Sequence, residues 1–116
     1  MQKPLVLVAD SDALTKHMLR EMLEENGFEV VAFLTGHEAI RYFEKHQAAV
    51  VIVDVRMKDM GGHEFAEAVK RISNGEVRVL LTSALADVEV GPADEIIHKG
   101  DDVKQFMDDT LSMMTG

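Results

Sequence analysis

Short apolar runs alternate with amphipathic stretches along the whole chain. Leu5–Ala9, Phe28–Phe33, Ala48–Val53, Val77–Leu81 and Glu95–His98 have the length and residue types of strands. The first and third are continuously apolar, as expected of strands covered on both faces of a parallel sheet; a half-exposed antiparallel strand would alternate. The intervening segments repeat with helical period. Asp12–Glu25 aligns Leu14, Met18 and Met22 with Leu19 and Leu23 on one stripe, and Gly27 follows where a helix end favours positive φ. Gly36–His46 is carried by Ala39, Ile40 and Phe43, and His63–Ser73 by Phe65, Ala66, Val69 and Ile72. A last helix starts near Asp101 and carries Val103, Phe106, Met107, Leu111 and Met114.

Strand–helix alternation within one small domain predicts parallel strands joined by crossovers, with helices on both sheet faces. The expected architecture is α/β: a flavodoxin-like, doubly wound five-stranded parallel sheet in the order 2-1-3-4-5, formed by residues 1–116 as one domain. The stretch between Ser83 and Asp94 is too short for a full crossover helix and its loops. The fourth helix is therefore expected to be shortened or missing.

Charge narrows the partners. Lys plus Arg number 12 and Asp plus Glu 21, a formal charge of −9, which repels nucleic acid and anionic membrane surfaces. With no cysteine, disulfide frameworks, thiolate metal sites and a cysteine nucleophile are excluded. The run Leu5–Ala9 ends at Asp10 and is too short for a membrane span or a signal segment, so a cytoplasmic location is expected. His37-Glu38 and His63-Glu64 begin like zinc-helix motifs but lack the second histidine.

In a doubly wound sheet, ligands bind beyond the carboxyl ends of the strands at the switch point, here between the first and third strands. Asp10-Ser11-Asp12, Asp54, Thr82-Ser83 and His98-Lys99-Gly100 all fall on that rim. Asp54 is placed to attack a phosphoryl donor and form an acyl phosphate. A divalent cation would offset the charge on the phosphoryl oxygens, held by Asp10, Asp54 and a backbone carbonyl at Arg56. Lys99 would pair with one phosphoryl oxygen and the Thr82 hydroxyl would donate to another. Asp12 is expected to cap the first helix.

Four motifs in this order resemble the response-regulator receiver domain of two-component signalling: Val6–Asp10, Val50–Asp54 with Met60-Gly61-Gly62, Leu80–Ala84, and Ala93–Lys99. The resemblance spans essentially the whole chain. It implies Asp54 as the phosphoacceptor, Asp10 in a Mg2+ pocket, and Thr82 and Lys99 as the switch hydroxyl and lysine. It also implies a sensor histidine kinase as donor, an output domain or partner protein as receiver of the signal, and a signalling role, not an enzymatic one.

The chain departs from the family pattern at four places. Ser11 replaces the second acidic residue, Lys58 a common proline, Ile96 the switch aromatic, and Gly100 the proline after the lysine. Ser11, Ile96, Gly100 and the short segment between Ser83 and Asp94 favour, as the second reading, a pseudo-receiver that binds a partner without phosphorylation. Asp10-Ser11-Asp12 also has the Asp-x-Asp spacing of haloacid-dehalogenase-type phosphatases, but Leu14 stands where that family has threonine, and 116 residues leave no room for the rest of that core.

Overall fold

The computed structural model describes residues 2–115. Five strands, β1 (Leu5–Ala9), β2 (Glu29–Phe33), β3 (Val50–Asp54), β4 (Arg78–Ser83) and β5 (Glu95–His98), form one sheet in the order β2-β1-β3-β4-β5. Every neighbouring pair is parallel. The helices are α1 (Ala13–Glu25), α2 (Gly36–Lys45), α3 (Gly62–Ile72) and α4 (Val103–Thr115).

The continuous apolar runs of β1 and β3 are explained by a core on each side of the sheet. Leu7, Ala9, Val51, Val53, Val79 and Leu81 face Phe43 of α2 and Phe65 of α3. The alternate residues Val6, Val8, Ile52 and Leu80 face Leu19 and Leu23 of α1 and Phe106 of α4. With side chains alternating every residue, both faces must be apolar when both are covered.

Strand ends differ from the sequence expectation in a way that matters for the site. β3 runs on through Asp54 and β4 through Ser83, because the parallel ladder continues to the pair Asp54 and Thr82 and to the pair Ser83 and His98. Asp54 and Thr82 are thus held by strand hydrogen bonding, not by loops. The helix starts follow the capping residues: Asp12 accepts from Thr15 N at 3.1 Å, and Asp102 from Gln105 N at 3.2 Å.

No helix lies between β4 and β5 among the described residues. Asp94 stabilises this irregular crossover. Its carboxylate accepts from Val79 N and Lys70 Nζ, both at 2.7 Å, and its own N–H donates to Val79 O at 2.9 Å. Lys70 also donates to Val77 O at 2.8 Å, so α3, β4 and the start of β5 are joined through one ion pair. Partial burial opposes ionisation of Asp94, but the bonds from Lys70 and Val79 outweigh it and hold the carboxyl below its usual range. Further along, His63 of α3 bonds through Nε2 to Glu89 O at 2.6 Å and packs on Gly91, whose φ is +55° and where a Cβ would fall 2.5 Å from the imidazole.

Candidate functional site

β1, β3, β4 and β5 run parallel and end on the same side of the sheet, which brings Asp10, Asp54, Thr82 and Lys99 to one rim. Asp10 follows β1 and is 1% exposed. Lys99 follows β5, and its N–H is fixed to Ser83 O at 2.8 Å. Its side chain reaches back across the sheet: Nζ donates to Asp10 Oδ2 at 2.9 Å and to Asp54 Oδ2 at 3.1 Å. Asp54 Oδ1 accepts from Arg56 N at 3.2 Å, and Asp10 Oδ1 from Asp12 N at 2.9 Å. One ammonium bridges two carboxylates, and each carboxylate is also oriented by a backbone N–H.

Burial shifts the titrations in defined directions. Asp10 is raised above the usual carboxylate value because its desolvation outweighs the bonds from Asp12 N and Lys99. For Lys99, desolvation favours loss of the proton, but bonding to Asp10 and Asp54 prevails and raises it. The lysine is charged at neutral pH.

Two buried hydroxyls in this region, Ser11 Oγ and Thr82 Oγ1, have no hydrogen-bond partner. A buried polar group without a partner costs stability, so such groups mark where a further ligand oxygen, ion or water is accommodated. Among the described residues, no set of three or more His, Cys, Asp or Glu side chains is arranged for a metal. Two carboxylates with backbone and hydroxyl oxygens nonetheless suit Mg2+, which keeps several waters and commonly uses one or two carboxylates together with substrate phosphate.

Asp12 lies outside this cluster. Its carboxylate caps α1 and is held below its usual range by bonds from the Thr15 hydroxyl and N–H. Gly62 has a positional role: a Cβ there would fall 2.6 Å from both Asp54 O and Val55 Cα, so only glycine lets α3 start this close to the end of β3. Ile96 is half-buried against the α2–α3 core. Gly100 has φ +58°, and no cis peptide occurs among the described residues.

Sequence reasoning passed over Asp59. Five residues beyond Asp54, it accepts from Gly36 N and His37 N, each at 2.9 Å, and bonds His37 Nδ1 at 2.6 Å. Partial burial opposes its ionisation, yet these bonds lower it to about 2. The loop after β3 is thereby anchored to the start of α2. The partners are more than twenty positions apart, so no local motif reports the contact.

A match to the response regulator receiver domain covers residues 6–108. The chain belongs to the receiver-domain family. This receiver is 27% identical over 117 residues to the chemotaxis protein CheY of Bacillus subtilis, with 92% of this chain and 97% of CheY covered. It is 30% identical over 106 residues to the heme response regulator HssR of Staphylococcus saprophyticus, covering 87% of this chain but 47% of that regulator. It therefore spans about half the length of the latter. In fold it resembles the response regulator TrrA of Thermotoga maritima, solved in complex with Mg2+ and BeF, with a TM-score of 0.81 at 24% identity and coverage of 97% and 99% of the two chains. The receiver has the signalling fold of two-component response regulators. No helix among its described residues is long and apolar enough to cross a membrane.

Proposed function

We propose that this receiver is phosphorylated on Asp54 by the phosphohistidine of a sensor histidine kinase, in the presence of Mg2+, and passes the signal to an output domain or partner protein in the cytoplasm. The observation that carries this reading is the Lys99 bridge between Asp10 and Asp54, beside the unpartnered Thr82 hydroxyl. In the reaction, an Asp54 carboxylate oxygen forms a bond to phosphorus as the phosphorus–nitrogen bond to the donor imidazole breaks. The imidazole nitrogen keeps that electron pair and takes up a proton. Asp10, Asp54 and the Arg56 backbone carbonyl would hold Mg2+. When bound, the ion offsets negative charge on the phosphoryl oxygens. Lys99 remains on Asp54 and takes one phosphoryl oxygen as an ion-pair partner, while the Thr82 hydroxyl donates to another.

Access for a donor side chain is supported by an apolar depression of about 300 Å³ beside Lys99, between α1 and α4. Its rim residues Leu14 and Val103 are 65% and 50% exposed. Intact mass after treatment with acetyl phosphate and Mg2+ tests the reading. A gain of one phosphoryl group that is lost in Asp54→Ala is expected. No gain at any Mg2+ concentration would leave the pseudo-receiver reading, to which the Ser11 hydroxyl and the lack, among the described residues, of a helix between β4 and β5 lend weight.

A further inference from the structure

We propose that the groove along α3 docks a basic amphipathic helix of a partner protein. The groove has a volume of about 550 Å³, bounded by Ile40 of α2, by Met60, and by Pro92 of the irregular β4–β5 crossover, with Ala68 in its floor. This size suits side-chain anchors entering an apolar cleft.

The charges along the groove select the occupant. Glu64, Glu67 and Arg71 line it and follow one another at spacings of three and four, so they form a single row along α3. None of the three forms an ion pair among the described residues. Both carboxylates lie toward the start of the helix and the guanidinium toward its end. A partner helix with lysines or arginines opposite Glu64 and Glu67, and apolar anchors one turn apart facing Met60 and Ala68, pairs with both carboxylates and fills the cleft together. The net charge of −9 attracts such a segment and repels acidic ones.

The groove is also joined to the phosphoacceptor site. Met60 belongs to the loop that follows Asp54, and the next residue back, Asp59, is fixed to α2. His63 at the other wall is bonded to Glu89 O in the segment that follows β4 and Thr82. A change at Asp54 or Thr82 therefore reaches both walls. This coupling rests on the proposed phosphorylation of Asp54; the docking itself does not.

The probe is a fluorescently labelled helical peptide with a leucine face and a lysine face, compared with the same design bearing glutamates. Fluorescence anisotropy at low salt should show binding of the lysine peptide only. Glu64→Lys combined with Glu67→Lys should weaken it about tenfold, whereas Glu21→Lys with Glu25→Lys, an equal charge change on α1, should leave it within about twofold. Amide shifts on peptide addition should centre on residues 36–40 and 60–71. Equal losses in the two charge-reversed pairs, or shifts centred on α1 and α4, would overturn the docking site. Adding beryllium fluoride and Mg2+ should change the affinity at least about threefold. An unchanged affinity in protein that intact mass shows to accept phosphate would overturn the coupling.

Discussion

Asp54 and Thr82 are register partners at the ends of β3 and β4, and the Thr82 hydroxyl beside this pair is buried without a hydrogen-bond partner. The Thr82 carbonyl is occupied, accepting from Val55 N at 2.8 Å, so the unmet need belongs to the side chain alone. Thr82→Val keeps the shape and removes that need. It should raise the unfolding free energy by about 1 kcal/mol, the scale of one buried unpaired polar group. The same variant should accept phosphate from acetyl phosphate more slowly. Denaturant melts and phosphorylation time courses measure the two effects; a destabilised variant would show that the hydroxyl has a partner, and an equally reactive one that it has no role in the reaction.

Lys99 compensates two carboxylates at once, which sets its response to metal. In Lys99→Ala, Asp10 and Asp54 face each other with no cation. Without Mg2+ the variant should lose about 2 kcal/mol at neutral pH, less than for a fully buried pair because Lys99 and Asp54 are 17% and 14% exposed. Mg2+ should then stabilise the variant more than the wild-type chain, since the ion takes over the neutralisation. Thermal melts with and without Mg2+ compare the two. An equal Mg2+ increment in both would place the metal away from Lys99.

Ser11 presents a neutral, unpartnered hydroxyl next to Asp10. Charge count tunes oxygen sites for hard cations, so Ser11→Asp should tighten Mg2+ binding about tenfold, a gain of roughly 1.4 kcal/mol. Titration of Mg2+ against both forms decides this. Identical affinities would mean that the new carboxylate does not reach the ion.

Asp59 gives the fold an acid-sensitive clamp. Its carboxyl is lowered from 3.8 to about 2, so its contribution is complete above about pH 4 and is lost as pH falls toward 2. The full shift corresponds to about 2.4 kcal/mol, but solvent reaches the pair: His37 is 63% and Asp59 23% exposed, which reduces the expected effect to about 1 kcal/mol. Urea melts across this range should show a steeper stability loss for wild type than for Asp59→Asn. Parallel curves would show that the clamp carries no stability.

The sheet order and the rim residues were legible from sequence because both follow from local pattern. An apolar run of five residues ending in aspartate is readable wherever it occurs, and alternating strands and helices leave few ways to cover both faces of a sheet. That no full crossover helix fits between β4 and β5 was equally readable, since chain length between Ser83 and Asp94 sets a limit no packing can relax. Tertiary structure alone decided what those residues touch. Lys99 meets Asp10 across 89 positions, Asp94 meets Lys70 across 24, and Asp59 meets Gly36 across 23. A hydrogen bond depends on placing two groups within about 3 Å, and at such separations the intervening fold, not the neighbouring residues, determines whether they come together. The same holds for the unpartnered hydroxyls of Ser11 and Thr82: their chemistry is in the sequence, but whether a partner stands beside them depends on the packing of every element around the site.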